Sequence, residues 1–140
     1  MHRSDAAEQM IQGLRGAGLK LTPQRLAIVE AFADDPTHPT AQEIFERLQR
    51  RLPTMSFATV YTTLDTLAAA GLCTVRALSP GPARFDPNVA PHGHAVCDAC
   101  GALIDLPARP ARAAVPLPSG FVVRAVETIY RGTCGRCAKR

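Results

Sequence analysis

An α+β fold in two parts is expected for this chain: a winged helix-turn-helix over residues 1–86, then a small α/β domain over 87–140, with a hinge at about 79–91. Three observations carry that expectation. Residues 5–70 hold four segments with apolar positions at helical intervals, each opened by a capping residue. Residues 72–86 change to short alternating runs around a Ser-Pro-Gly-Pro turn, the pattern of a β-hairpin. From residue 92 onward, strand-like runs are pinned by two Cys-x-x-Cys units, Cys97/Cys100 and Cys134/Cys137.

In chain order, Asp5 and Glu8 have capping-box spacing, and Met10, Ile11 and Leu14 follow as the apolar stripe of a first helix over roughly 5–16, ended by Gly16 and Gly18. Thr22-Pro23 opens a second helix with Leu26, Val29 and Phe32 inward, stopped at Asp34-Asp35-Pro36. Thr40 and Glu43 form a further capping box, and Ile44, Leu48 and Leu52 line a third helix that breaks before Pro53. Ser56 caps the fourth helix, Ser56 to Ala70, in which Val60, Leu64 and Leu67 recur at i, i+4, i+7 before Gly71. In the run 72–78, Cys73, Val75 and Ala77 alternate against more polar neighbours, and ARFD (83–86) supplies the second strand of the hairpin. Helices followed by a hairpin describe a winged helix-turn-helix, whose fourth helix presents Thr59, Tyr61 and Thr62 to the major groove of DNA. Hydroxyls there make hydrogen bonds, and Tyr61 offers apolar contact to a thymine methyl. The plain alternative is a helical packing unit with Tyr61 half-buried. Arg47, Arg50 and Arg51 read as a solvated face at a helix end. Beyond 91 the segments HAVC, ALIDL and FVVRAVETIY are expected as strands, and the proline-rich stretch between the last two leaves room for a couple of helical turns.

With 140 residues and 46% apolar content the chain is long enough for real cores, which excludes a disordered protein. A formal charge of +4 permits nucleic-acid binding without requiring it. MHRSDAAEQM lacks the apolar core of a signal peptide and no run is long enough to cross a bilayer, so a cytoplasmic protein without membrane partners is expected. In a reducing compartment, four of the five cysteines in paired units argue for metal over disulfides.

Cys97, Cys100, Cys134 and Cys137 can close a tetrahedron of thiolates around Zn2+, a structural site. A thioredoxin-type dithiol is the competing reading, but neither unit opens a helix after a strand, where a thiolate would be stabilised. HAVCDAC is superficially like a zinc deaminase motif and lacks its glutamate. His92 and His94, one residue apart, share a strand face, with Asp86 and Asp105 flanking them. Nitrogen and oxygen donors of this kind suit Fe2+ or Mn2+; a hydrogen-bonded histidine pair beside the zinc is the plainer alternative. Cys73 reads as a buried residue of the wing.

These pieces, GLKLTPQR (18–25), HPTAQEIF (38–45), MSFATVYTTLDTLAAAGL (55–72), RFD (84–86), HGHAVCDACGALID (92–105) and GTCGRC (132–137), together resemble the Fur family of metal-dependent transcriptional repressors. The likeness is greatest to its peroxide-sensing PerR branch. That resemblance implies a homodimer formed by the C-terminal domain, bound to a double-stranded DNA operator of two-fold symmetry. It implies that His38, Asp86, His92, His94 and Asp105 together hold the regulatory iron or manganese, that ferrous iron with peroxide oxidises His38 or His92 to 2-oxo-histidine, and that the protein is not an enzyme. The iron-uptake branch typically has glutamate at the positions of Asp86 and Asp105. Lys20 and Arg25 then contact phosphates, and Thr59 and Tyr61 read bases. Thr62 stands where the peroxide branch tends to carry an amide and the iron-uptake branch an arginine. Two alternatives remain: a repressor that reports iron or manganese abundance without peroxide chemistry, and, more remotely, a zinc-stabilised thiol oxidoreductase.

Overall fold

The computed structural model describes residues 3–77, 81–108, 115–124 and 126–139. The chain forms two compact units, residues 1–89 and 90–140.

In the first unit, side-chain caps set the helix starts. Helix α1 (Asp5–Gly16) is capped by Ser4, whose hydroxyl accepts from the Ala7 N–H at 3.2 Å. The expected Asp5–Glu8 box is therefore displaced: both acids lie in the first turn, where they complement the positive helix end. Helices α2 (Pro23–Phe32), α3 (Ala41–Gln49) and α4 (Phe57–Ala69) start from Thr22, Thr40 and Ser56, each accepting from the amide three residues on. Helices α1 and α4 end alike. Gly18 and Gly71 take the left-handed conformation, φ +81° and +75°. The following amides, Leu19 and Leu72, return to the carbonyls of Leu14 and Leu67. Only glycine adopts that φ without cost, so these two positions fix where the helices stop.

The apolar stripes meet in one core. Met10, Ile11, Leu14, Ile28, Val29, Phe32, Ile44, Leu48, Val60, Leu64 and Leu67 are all fully buried. Leu26 is only half-buried, and Ile28 takes the central place in α2. The hairpin is shorter than expected, β1 (Thr74–Arg76) against β2 (Arg84–Asp86), antiparallel with Val75 opposite Phe85. The expected inward alternation is corrected. Cys73 is buried but precedes the strand, whereas Val75 and Ala77 are exposed. The Cys73 thiol donates to the Leu64 carbonyl, and burial, with Asp86 and Asp65 near, pushes it up to about 12. Half of the expected turn, Ser79 and Pro80, lies outside the described residues, as does Leu78.

The second unit is a three-stranded sheet in the order β4-β3-β5, where β3 is Gly93–Cys97, β4 Leu103–Leu106 and β5 Ile129–Gly132. Strand β3 is antiparallel to β4 and parallel to β5. A parallel neighbour needs a long return connection, which the chain between 106 and 129 supplies. The expected strand FVVRAVETIY is corrected: only Ile129 and Tyr130 of it enter β5. Phe121 and Val122 are 62% and 83% exposed and belong to no strand among the described residues. Residues 115–118 are not helical, and 109–114 lie outside the described residues. A single turn, α5 (Gly135–Ala138), starts at Cys134 just after β5, so the expectation that neither Cys-x-x-Cys unit opens a helix after a strand is corrected for the second unit. Among the described residues no helix is long and apolar enough to cross a membrane.

Candidate metal centres

The four cysteines of the second unit come together. Cys97 ends β3, Cys100 follows in the turn to β4, Cys134 stands at the start of α5, next to the end of β5, and Cys137 lies within α5. Their Sγ atoms all lie within 4.8 Å of one another. Tetrahedral zinc with bonds of about 2.3 Å requires sulfurs about 3.8 Å apart. Cys100 Sγ and Cys134 Sγ stand at 3.8 Å. Electrostatics point the same way. The amide N–H groups of Cys134 (3.2 Å from Sγ), Cys100 and Ala99 aim at the Cys97 sulfur and hold its thiol down to about 6. The Cys137 amide likewise lowers Cys134. Cys137, crowded first by Cys134 and then by Cys100, is pushed up to about 12. Two thiolates are thus favoured locally while that of Cys137 is opposed. A divalent cation resolves that conflict, so the donors present fit zinc.

On the same sheet His94 of β3 sits opposite Asp105 of β4. Asp105 Oδ1 lies 3.0 Å from His92 Nε2 and 3.3 Å from His94 Nε2, with the two rings edge to face at 4.4 Å. His92 Nδ1 is 2.6 Å from the Ala90 carbonyl, so that nitrogen carries the proton and donates it. With its Nδ1 proton on the Ala90 carbonyl, neutral His92 would present a lone pair at Nε2 to a carboxylate oxygen. Two acceptors at this distance need a cation or a proton between them, and the backbone bond that orients the ring is the usual support of a ligand histidine.

The first unit holds the remaining pair. His38 Nε2 lies 3.5 Å from Asp86 Oδ2, and both residues are essentially without solvent exposure. His38 has φ +53°, a conformation few residues other than glycine adopt. The neighbouring strand imposes it. Arg84 Nη1 donates to the His38 carbonyl at 3.1 Å, and Phe85 N–H donates to the Pro39 carbonyl at 2.9 Å. Asp86 Oδ1 accepts from the Asn88 amide at 2.9 Å. Sequence reading gave Arg84 no role, because a side chain that grips a backbone carbonyl far along the chain leaves no local spacing to detect. On the other side of the same loop, Arg47 reaches Asp35 Oδ2 at 2.6 Å and anchors residues just before His38. It is therefore more than a solvated helix-end residue.

The residues expected at DNA divide. Lys20 is exposed, while Arg25 is half-buried with its guanidinium donating to the Lys20 carbonyl at 2.6 Å. Tyr61 and Thr62 are exposed on α4. Thr59 is half-buried, its hydroxyl 2.7 Å from that of Ser56, because the cap of α4 needs a partner.

The sequence profile of the ferric uptake regulator family matches residues 16–113. The peroxide operon regulator of Bacillus subtilis is 32% identical over 136 residues, covering 95% of this chain and 94% of that one. The peroxide-responsive repressor PerR of Staphylococcus aureus is 38% identical over 98 residues, covering 70% of this chain and 66% of that one. Among solved structures, the peroxide stress regulator of Campylobacter jejuni superposes with a TM-score of 0.67 at 28% identity, covering 91% of this chain and 98% of that one.

Proposed function

Because this chain belongs to the ferric uptake regulator family, we propose that it is a metal-dependent transcriptional repressor that senses hydrogen peroxide through oxidation of a ligand histidine. The observation that carries the reading is the pair of imidazole Nε2 atoms converging on one oxygen of Asp105, at 3.0 and 3.3 Å, with the His92 tautomer fixed from behind by the Ala90 carbonyl.

In this reading residues 1–86 are a winged-helix DNA-binding domain, and 87–140 dimerise the protein. His38 and Asp86 from the first and His92, His94 and Asp105 from the second share one Fe2+ or Mn2+. Ligands drawn from both fix the spacing of two recognition helices in a homodimer, so DNA and metal each strengthen the other's binding. Making a rare arrangement dominant takes roughly 5 kcal/mol of differential affinity, within reach of several ligand bonds. Cys97, Cys100, Cys134 and Cys137 hold zinc and stay outside this chemistry, because closed thiolate coordination leaves no open position. Bound ferrous iron would activate peroxide, and the ligand imidazole would supply both electrons: one peroxide oxygen ends on its C2 carbon as 2-oxo-histidine, the other leaves as water, and the iron undergoes no net change. The chain's own contribution is to hold the His38 and His92 rings in fixed orientations. An oxidised imidazole is a poorer ligand, the ligand set comes apart, and repression ends. Lys20 supplies phosphate attraction, and Tyr61 with Thr62 faces the bases.

The test is fluorescence anisotropy on a duplex recovered from a random-sequence library with manganese-loaded protein. Binding should vanish on chelation and return with either metal. Peroxide should then release the duplex from the iron-loaded protein and leave the manganese-loaded protein bound. Binding indifferent to metal would overturn the reading.

A further inference from the structure

The surface of α4 points to how the proposed operator is read. Bidentate recognition of guanine or adenine requires Arg, Lys, Asn or Gln. The helix, FATVYTTLDTLAA, contains none of the four. Its exposed residues over the first two turns are Phe57, Ala58, Tyr61 and Thr62, two aromatic rings and two short side chains. Phe57 is 43% exposed and Tyr61 51%, one turn apart, with ring centroids 6.2 Å from each other. The core does not need Phe57, because the buried face of α4 is filled by Val60, Leu64 and Leu67. Its ring is nevertheless held: Phe45 of α3 meets it edge to face at 6.1 Å and 89°. An aromatic side chain braced from behind and open in front loses little rotamer freedom on binding. The pair also walls a groove of about 250 Å³ that runs toward Val75 and Pro82 of the hairpin and is open to solvent. The apolar feature that DNA offers in the major groove is the thymine 5-methyl group.

We infer that Phe57, braced by Phe45 and paired with Tyr61, is a specificity-determining residue that reads thymine methyl groups, and that α4 discriminates bases mainly through such contacts. The inference rests on the DNA-binding reading above. It predicts an operator with thymines where the first turns of α4 enter the groove, and discrimination that depends on a methyl rather than on a hydrogen-bonding pattern.

Deoxyuridine removes that methyl and leaves base pairing and backbone charge unchanged. The library-selected duplex is therefore compared with versions in which thymines are replaced singly by deoxyuridine, on the intact manganese-loaded protein. At one or two positions per half-site, Kd should rise roughly 3- to 5-fold for each methyl removed, the equivalent of one buried methyl-sized group. Replacing such a thymine by cytosine should weaken binding, and 5-methylcytosine should restore part of the loss. In Phe57→Ala the wild-type preference for thymine over deoxyuridine at its position should shrink toward 1, a non-additive double-mutant cycle. The slope of log Kd against log salt should be unchanged, since no phosphate contact is lost. Circular dichroism of the variant checks its folding, and the wild-type arms stand without it. Deoxyuridine duplexes that bind as tightly as thymine duplexes at every position would overturn the inference while leaving metal-dependent repression intact. If no duplex is enriched at all, the DNA-binding reading falls, and the inference with it.

Discussion

At the scale of single residues, the two candidate centres differ in how they were legible. A Cys-x-x-Cys pair is a local spacing that binds in a knuckle turn, so Cys97, Cys100, Cys134 and Cys137 could be read directly from the sequence and meet in the fold. His38 could not. It sits in a Pro-rich loop, is fully buried, and is held at positive φ by Arg84 from a strand far along the chain. Only the family resemblance pointed to it. Arg84→Ala should therefore lower manganese affinity roughly ten-fold, the usual cost of losing a group that orients a ligand. Zinc content should stay the same, and calorimetric titration with manganese checks both. The cysteine site carries a pH signature. Cys137 is held protonated up to about 12 and Cys97 is a thiolate above about 6. Zinc binding to reduced, metal-free protein must displace the Cys137 proton at any ordinary pH, and below about 6 the Cys97 proton as well. Affinity should rise with pH throughout, most steeply below about 6, as competition with a chromophoric chelator would report. Without zinc, the lowered Cys97 itself favours folding. That contribution is fully present above the ordinary thiol value and is lost as pH falls through about 6.

At the scale of elements, helix starts were legible because Thr22, Thr40 and Ser56 satisfy first-turn amides that have no partner within the helix. The one displaced cap shows the limit of the method: Ser4 and Asp5 are both competent, and the structure uses the serine. Thr40 deserves a direct measurement, since it is 5% exposed, starts α3 and pairs with Arg84 in the bridge that holds the His38 loop. Thr40→Ala should cost about 1 kcal/mol in chemical denaturation, the ordinary value of an N-cap hydroxyl. Strands were less legible than helices. The period-two pattern of 73–77 failed because the three-residue strand begins after Cys73 and turns Val75 outward. FVVRAVETIY has the composition of a strand, but only its end reaches β3, and apolar composition alone does not supply a pairing edge.

At the scale of the whole molecule, the proposal ties a DNA-reading unit to a metal-holding unit through one shared ion, and the chemistry of that ion determines which stress is sensed. Sequence supplied the donor types: two imidazoles one residue apart and two aspartates, without a sulfur among them. The structure adds the tautomer of His92 and the convergence on Asp105. A peroxide sensor and a sensor of metal abundance differ in what peroxide does to the ligand histidines, and peptide mass spectrometry reads that difference directly. The protein is loaded with ferrous iron or manganese, treated with slightly more than stoichiometric peroxide, and digested. The account predicts one added oxygen on the peptide holding His38 or the one holding His92, in the iron sample only. Unmodified histidines in iron-loaded protein of confirmed occupancy would contradict it and leave a repressor that reports metal alone.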